Sequence, residues 1–197
     1  MVTTDLQTKG MLCEPGDHFI GAYEVERKYA LSDLEALRTQ LEAKGAMPFT
    51  LGNQELDIFY DLPDKRLASN DQQHVLRQMQ PSGRVLWISK GPGPDKCVAM
   101  DLHDGEKAQA MIISLGFEEI ERLEKRRDIY FLDKFHVTLD VLPQLGAFAE
   151  IAIMTDDTSK LEDYAHEVEA LAKEFNFSQQ ALQTQSYRSM LQGLQRT

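Results

Sequence analysis

Cysteine is nearly missing. Cys13 and Cys97 are the only two in 197 residues, too few for a disulfide framework or, by themselves, a thiolate metal centre. Basic residues are also in short supply: 21 Lys+Arg against 32 Asp+Glu leave a formal charge of −11. That excludes generic, sequence-blind attraction to nucleic acid or to an anionic membrane. No apolar run approaches the ~18 residues that span a bilayer, and the N-terminus has no hydrophobic signal core. A cytoplasmic chain is therefore expected. Repeats, low-complexity tracts and an interdomain linker are lacking too. With 42% hydrophobic and 27% charged residues, the composition is that of one globular domain. We expect a flexible N-terminal tail over 1–17, polar and aperiodic, and a single domain over 18–197.

What is present is mostly β pattern. Alternation and β-branched or aromatic enrichment predict strands near 19–30, 55–61, 74–80, 84–91, 95–101, 123–133, 135–143 and 147–155. Pro81-Ser82-Gly83 and Gly91-Pro92-Gly93-Pro94 are turn chemistry, and Lys134 sits in a tight hairpin. Ser32 with Glu35 reads as a capping box that starts a helix carrying Leu34, Leu37 and Leu41 and stopping at Gly45. A second helix, 104–115, aligns Ala108, Met111, Ile112 and Leu115. A third, 158–175, aligns Leu161, Ala165, Val168, Leu171 and Phe175. Ser178 caps a fourth that reaches about Leu191. The fold class is α+β: some eight strands on short turns, closed into an antiparallel sheet with helices packed outside.

The charges within the strands carry the functional signal. Period-2 geometry puts Glu24, Glu26 and Lys28 on one face, opposite Tyr23, Val25 and Tyr29. Lys125 and Arg127 share a face, as do Thr138 and Asp140. Glu150 is a lone carboxylate among Phe148, Ala149, Ile151 and Ile153, Arg77 follows Val75-Leu76, and Lys90 ends Leu86-Trp87-Ile88-Ser89. Ionised groups so placed are costly unless paired or wet. If they converge, Lys28, Arg77, Lys90, Lys125 and Arg127 meet Glu24, Glu26, Asp140 and Glu150 in one lumen of net charge +1. Grouped carboxylates suit hard divalent cations such as Mg²⁺ or Mn²⁺. Two such ions bring the lumen to about +5, close to the roughly four negative charges of a nucleoside triphosphate.

The ordered segments His18-Phe19-Ile20-Gly21, Tyr23 to Lys28, Asp57 to Asp61, Val75 to Met79, Leu86 to Gly93, Glu124 to Phe131, Phe148 to Asp157 and Ser186-Tyr187-Arg188 resemble the class IV adenylyl cyclases. That class belongs to the CYTH, or triphosphate tunnel metalloenzyme, superfamily. The resemblance covers about residues 18–190. It implies a closed eight-stranded antiparallel barrel, a homodimer, and conversion of ATP to 3′,5′-cyclic AMP and pyrophosphate with Mg²⁺ or Mn²⁺. By the same resemblance Glu24, Glu26, Glu150 and Asp140 are metal ligands. Lys28, Arg77, Lys90, Lys125 and Arg127 contact the triphosphate, Arg188 closes over the nucleotide, and Asp140 is a candidate proton acceptor. Ala22 and Val98 depart from a basic residue and a Glu in close relatives. Ala152 and Met79 depart from the tunnel phosphatases instead. Two alternatives stay open: a tunnel triphosphatase acting on inorganic or thiamine triphosphate, and a non-catalytic nucleotide or polyphosphate binder.

Three features point to no chemistry of their own. The Gly91–Pro94 segment lacks the Lys-Ser/Thr of a phosphate loop, and its prolines remove backbone donors. His18, His74, His103, His136 and His166 show no ligand spacing and read as surface or capping residues. Cys97 reads as a packed thiol.

Overall fold

The computed structural model describes residues 17–194. Its elements in chain order are β1 (Tyr23–Leu31), α1 (Leu34–Ala43), β2 (Met47–Asp61), α2 (Arg66–Ser69), β3 (Gln73–Gln80), β4 (Val85–Lys90), β5 (Cys97–Leu102), α3 (Gly105–Ser114), β6 (Glu118–Leu132), β7 (Phe135–Leu142), β8 (Gly146–Thr155), α4 (Leu161–Glu174), β9 (Leu182–Gln183) and α5 (Tyr187–Leu194). The strands form one antiparallel sheet in the order β5-β4-β3-β2-β6-β7-β8-β1-β9. Except for Asp17, the N-terminal tail expected over 1–17 lies outside the described residues.

The sheet curls into a half-barrel with helices on its outer face. Its far ends meet again at the start of β1, where the Cys97 amide donates to the Ala22 carbonyl at 3.0 Å and the Glu24 amide to Asp95 at 2.7 Å. Farther along β1, Lys28 and Tyr29 pair with Gln183 and Leu182 of β9. Gly21 makes the approach to β8 possible. At φ +146°, a Cβ there would lie 2.6 Å from the Thr155 amide nitrogen, so a side chain is excluded.

Alternation divides the residues between two environments. Outward-facing Tyr29, Tyr130, Val137, Leu139, Ala149, Ile151 and Ile153 pack under α1 and α4 against Leu37, Leu41, Val168, Leu171 and Phe175. A smaller outer cluster of Ile58, Tyr60, Leu76 and Val85 lies under Ile112 of α3. Phe59, Val75, Ile88, Leu123, Leu142 and Phe148 face inward and pack around Tyr187, Met190 and Leu191 of α5. Arg27, the charge out of step in β1, reaches outward to Glu169 of α4 at 3.3 Å.

Several sequence expectations are corrected. The strands number nine, not eight, because β9 is added. β2 and β6 each run 15 residues. The early part of β2 is broken by register shifts between Pro48 and Thr50 and between Thr50 and Asn53, which hides its alternation. β1 starts at Tyr23 rather than 19, since Asp17–Phe19 forms a 3₁₀ turn. The α1 cap is Asp33, not Ser32: its carboxylate accepts the Ala36 amide. Ser178 caps a 3₁₀ turn, after which β9 intervenes before α5 begins. On α3 Met111 and Leu115 stay 60% and 70% exposed, because so short a helix covers the sheet through Ala108 and Ile112 alone. His18 and His136 are buried rather than superficial. The His18 ring stacks on Phe131 at 3.8 Å.

Candidate active site

Register brings the inward charges together. Lys28 lies opposite Glu150 across β1 and β8, Glu150 opposite Thr138 across β8 and β7, and Arg127 opposite Asp140 across β6 and β7. On the far side of β6, Lys125 lies opposite Glu55, and Asp57 lies opposite Arg77 of β3. Five antiparallel pairings thus place residues more than a hundred positions apart within one lumen. All the sequence-selected residues line it except Arg188.

Three ionic groups can be distinguished. In the first, Asp57 takes Arg77 in a two-pronged pair, Nε at 2.6 Å and Nη2 at 2.8 Å, and also Lys125 Nζ at 2.9 Å. Glu55 joins them, 3.0 Å from Lys125 and 3.3 Å from Arg77, and accepts Asn53 Nδ2 at 2.8 Å. Burial raises the Glu55 carboxyl, but Arg77, Lys125 and Arg127 outweigh it and hold the group at about 2. Asp57 is driven still lower against the same desolvation.

The second group centres on Arg127. Its Nε donates to Asp140 Oδ1 at 2.6 Å, and its Nη2 donates to both Asp140 and Glu150. Asp140 is fully buried and also accepts the Tyr187 hydroxyl at 2.8 Å. Lys28 Nζ stands 3.9 Å from Glu150 and 4.1 Å from the centre of the Tyr187 ring. Burial raises the Glu150 carboxyl, and Arg127 with Lys28 lowers it further than burial raises it.

The third group lies near the junction of β1 and β5. The half-exposed Lys90 ammonium donates to Glu24 at 3.0 Å. Burial raises Glu24, but Lys90 prevails and holds it at about 2. Glu26 moves the other way: burial, then Glu150 and Glu24, push it up to about 7. The Cys97 thiol faces Glu24 and is pushed up to about 12 by burial and by that carboxylate.

Sequence reasoning missed Glu55, Asp57, Asn53 and Tyr187. The alternation of Asn53, Glu55, Asp57 and Phe59 could have revealed the first three. With Glu55 and Asp57 included, five bases face six acids, so the expected +1 becomes an excess of one negative charge. Arg188 stands apart from the five cations, at the apolar end of the lumen, 2.6 Å from Glu121 and 5.3 Å from the Phe59 ring. Ala22 contributes backbone to the β1–β5 junction, and its amide donates to Asp156 at 2.9 Å. Val98 is 45% exposed on the face opposite Cys97, so its replacement of Glu leaves the lumen charge unaltered.

The donors are hard oxygens, the kind a divalent cation takes, and Glu26, raised by burial and then by Glu150 and Glu24, is the carboxylate such an ion would most relieve. Among the described residues no three acidic, imidazole or thiol groups are gathered around one point.

A model of the CYTH domain matches residues 22–187. The chain belongs to the CYTH domain family. The CYTH protein adenylate cyclase CyaB of Aeromonas hydrophila is 44% identical over 173 residues, 88% of this chain and 91% of that protein. A crystal structure from Vibrio parahaemolyticus, named for the adenylate cyclase activity expected of it, is 39% identical. It superposes with a TM-score of 0.85 over 88% of this chain and 99% of that one. A Hippeastrum protein described as having a dominant triphosphatase activity shares the fold alone, at 12% identity and TM-score 0.61 over 87% and 95% of the two chains. Among the described residues no helix is long and apolar enough to cross a membrane.

Proposed function

We propose that this CYTH protein is an adenylyl cyclase, converting ATP to 3′,5′-cyclic AMP and pyrophosphate inside a closed triphosphate tunnel. The observation that carries the reading is the convergence of Lys28, Arg77, Lys90, Lys125 and Arg127 with six carboxylates on one inner face. Likeness to the Aeromonas cyclase supports it. The working form is a cytoplasmic homodimer, with one catalytic domain over 18–197.

In the reaction the ribose 3′-oxygen bonds to the α-phosphorus, the bond from that phosphorus to the leaving pyrophosphate oxygen breaks, and the hydroxyl proton passes to water. Lys28, Lys125 and Arg127 hold the polyphosphate and fix the α-phosphorus for in-line attack. Arg77 and Lys90 neutralise charge that grows on the leaving oxygens. Glu24, Glu26 and Glu150 would hold Mg²⁺ or Mn²⁺, two ions in the working enzyme. When bound, these supply Lewis acidity toward the hydroxyl and counter-charge for the phosphates. Asp140 has its oxygens taken by Arg127 and Tyr187, which favours an orienting role for it over metal ligation or proton acceptance.

Purified protein with ATP and Mg²⁺ or Mn²⁺, its products separated by chromatography, tests the reading. Cyclic AMP with equimolar pyrophosphate is expected; orthophosphate alone points to the triphosphatase, and binding without product to a non-catalytic binder. Glu150→Ala abolishes metal-dependent turnover while the protein stays folded, because Asp140 still pairs Arg127. Cyclic AMP formation at a comparable rate in that variant removes the metal assignment.

A further inference from the structure

Helix α5 closes the apolar end of the lumen, yet one of its side chains reaches past the apolar layer into the charged one. Met190 and Leu191 pack with Phe59, Val75 and Ile88, and Arg188 and Gln192 fasten to Glu121 at 2.6 and 2.8 Å. Tyr187 lies against Phe148, ring centres 5.1 Å apart, and from there meets the central ionic group. Its ring lies beneath Lys28 Nζ, and it reaches Arg127 only through Asp140, to whose Oδ2 its hydroxyl donates.

We propose that Tyr187 is a positioning residue, through which α5 fixes Arg127 and Lys28 in the geometry that receives the substrate's phosphates. The inference rests on the reading above, in which those two side chains contact the triphosphate.

Three observations carry it. Asp140 has no exposed surface, so the Tyr187 hydroxyl and Arg127 serve the carboxylate where water does not reach. With one edge of the guanidinium gripped by Asp140 and Nη2 shared with Glu150, Nη1 makes no hydrogen bond among the described residues and points its donors elsewhere. Lys28 carries four rotatable bonds and a compact charge; the aromatic face and Glu150 are the contacts that fix where that charge stands.

The test compares Tyr187→Phe, which keeps the ring and loses the hydroxyl, with Tyr187→Leu, Asp140→Asn and the Tyr187→Phe/Asp140→Asn double variant. Thermal melting confirms that each is folded. Affinity for inorganic tripolyphosphate in the presence of chelator, measured by calorimetry, needs no turnover; kcat and KM for cyclic AMP formation are measured beside it. Tyr187→Phe is expected to lower tripolyphosphate affinity and kcat about tenfold, the loss of one buried hydrogen bond to a charged group. Tyr187→Leu loses more and raises KM as well. The double variant is expected to be no worse than Asp140→Asn, because both changes act on one unit. Tyr187→Phe within twofold of wild type in both measurements overturns the proposal, as do effects of Tyr187→Phe and Asp140→Asn that multiply independently. Wild-type protein that binds tripolyphosphate but makes no cyclic AMP removes the cyclase reading and leaves this test intact.

Discussion

Replacing Glu26 with Gln should make the metal-free protein more stable, by an amount that grows between about pH 4.5 and 7 and is absent below that window. In the folded chain the Glu26 carboxyl titrates near 7 rather than 4.5, because burial and the neighbouring Glu150 and Glu24 oppose its charge. The folded state therefore binds the proton more tightly than the unfolded state. Linkage then requires stability to fall as pH rises from about 4.5 to about 7. At about 1.4 kcal/mol per unit, the ionised group costs about 3 kcal/mol above pH 7 and nothing below 4.5. Gln keeps the shape and removes the charge. With chelator present, E26Q and wild type should melt together at pH 4.5 and separate by about 6–12 °C at pH 8, at the usual few degrees per kcal/mol for a domain of this size. The assay is a set of melting curves of both proteins between pH 4.5 and 8.5. Adding Mg²⁺ should then raise the wild-type Tm more than that of the variant, closing the gap from below. Parallel curves at all pH values would refute the reasoning, for they would mean that Glu26 does not share its charge with Glu24 and Glu150.

Asp57→Asn should destabilise the fold by about 3–5 kcal/mol in urea titrations, since it leaves Arg77 and Lys125 with an uncompensated buried charge. An effect under about 1 kcal/mol would show that water or Glu55 takes over the pairing. In a Cys13→Ser background, Cys97 should resist a thiol reagent at pH 8 until denaturant is added. With its pKa pushed up to about 12, about one thiol in 10⁴ is ionised there, and rapid labelling of the native protein would contradict its place beside Glu24.

The inner face was legible wherever a strand alternates cleanly. Glu24-x-Glu26-x-Lys28, Lys125-x-Arg127 and Thr138-x-Asp140 all occupy the lumen as read. The same rule extended two residues upstream would have placed His136 there, on the face of Thr138, rather than at the surface. Asp57 and Glu55 were passed over for a different reason. The Gly52-Asn53-Gln54 run ahead of them has the composition of a loop, and the strand tolerates it only through irregular pairing with β6. Their purpose is also non-local: the partners of Asp57 lie 20 and 68 positions away. Nothing within one strand distinguishes an acid that ligates from one that holds an arginine. The C-terminal region failed similarly. Its periodicity is helical on both sides of Leu182–Gln183, and only the hydrogen bonds offered by β1 turn that pair of residues into a strand.

The charge inventory also constrains how a polyanion can enter. Each lumen cation already has a carboxylate neighbour: Arg77 and Lys125 have Asp57, Arg127 has Asp140, Lys90 has Glu24 and Lys28 has Glu150. The lumen is thus no positive hole, and phosphate must either use donors that these pairs leave free or exchange partners with a carboxylate. Two of the three ionic groups are poorly disposed to exchange. Asp57 and Asp140 are buried and hold Arg77 and Arg127 through paired hydrogen bonds and Lys125 through one, so these three bases stay in place and meet phosphate through the donors they have left. Lys90 and Lys28 each have a single carboxylate partner, Glu24 and Glu150, the acids that share their surplus charge with Glu26. Cations held at those carboxylates would weaken their claim on Lys90 and Lys28 and leave both ammonium groups for phosphate, Lys28 still seated on the Tyr187 ring. Metal and triphosphate should therefore strengthen each other's binding by one common factor. An acidic protein can in this way favour a polyanion that arrives with its counter-ions over the bare one.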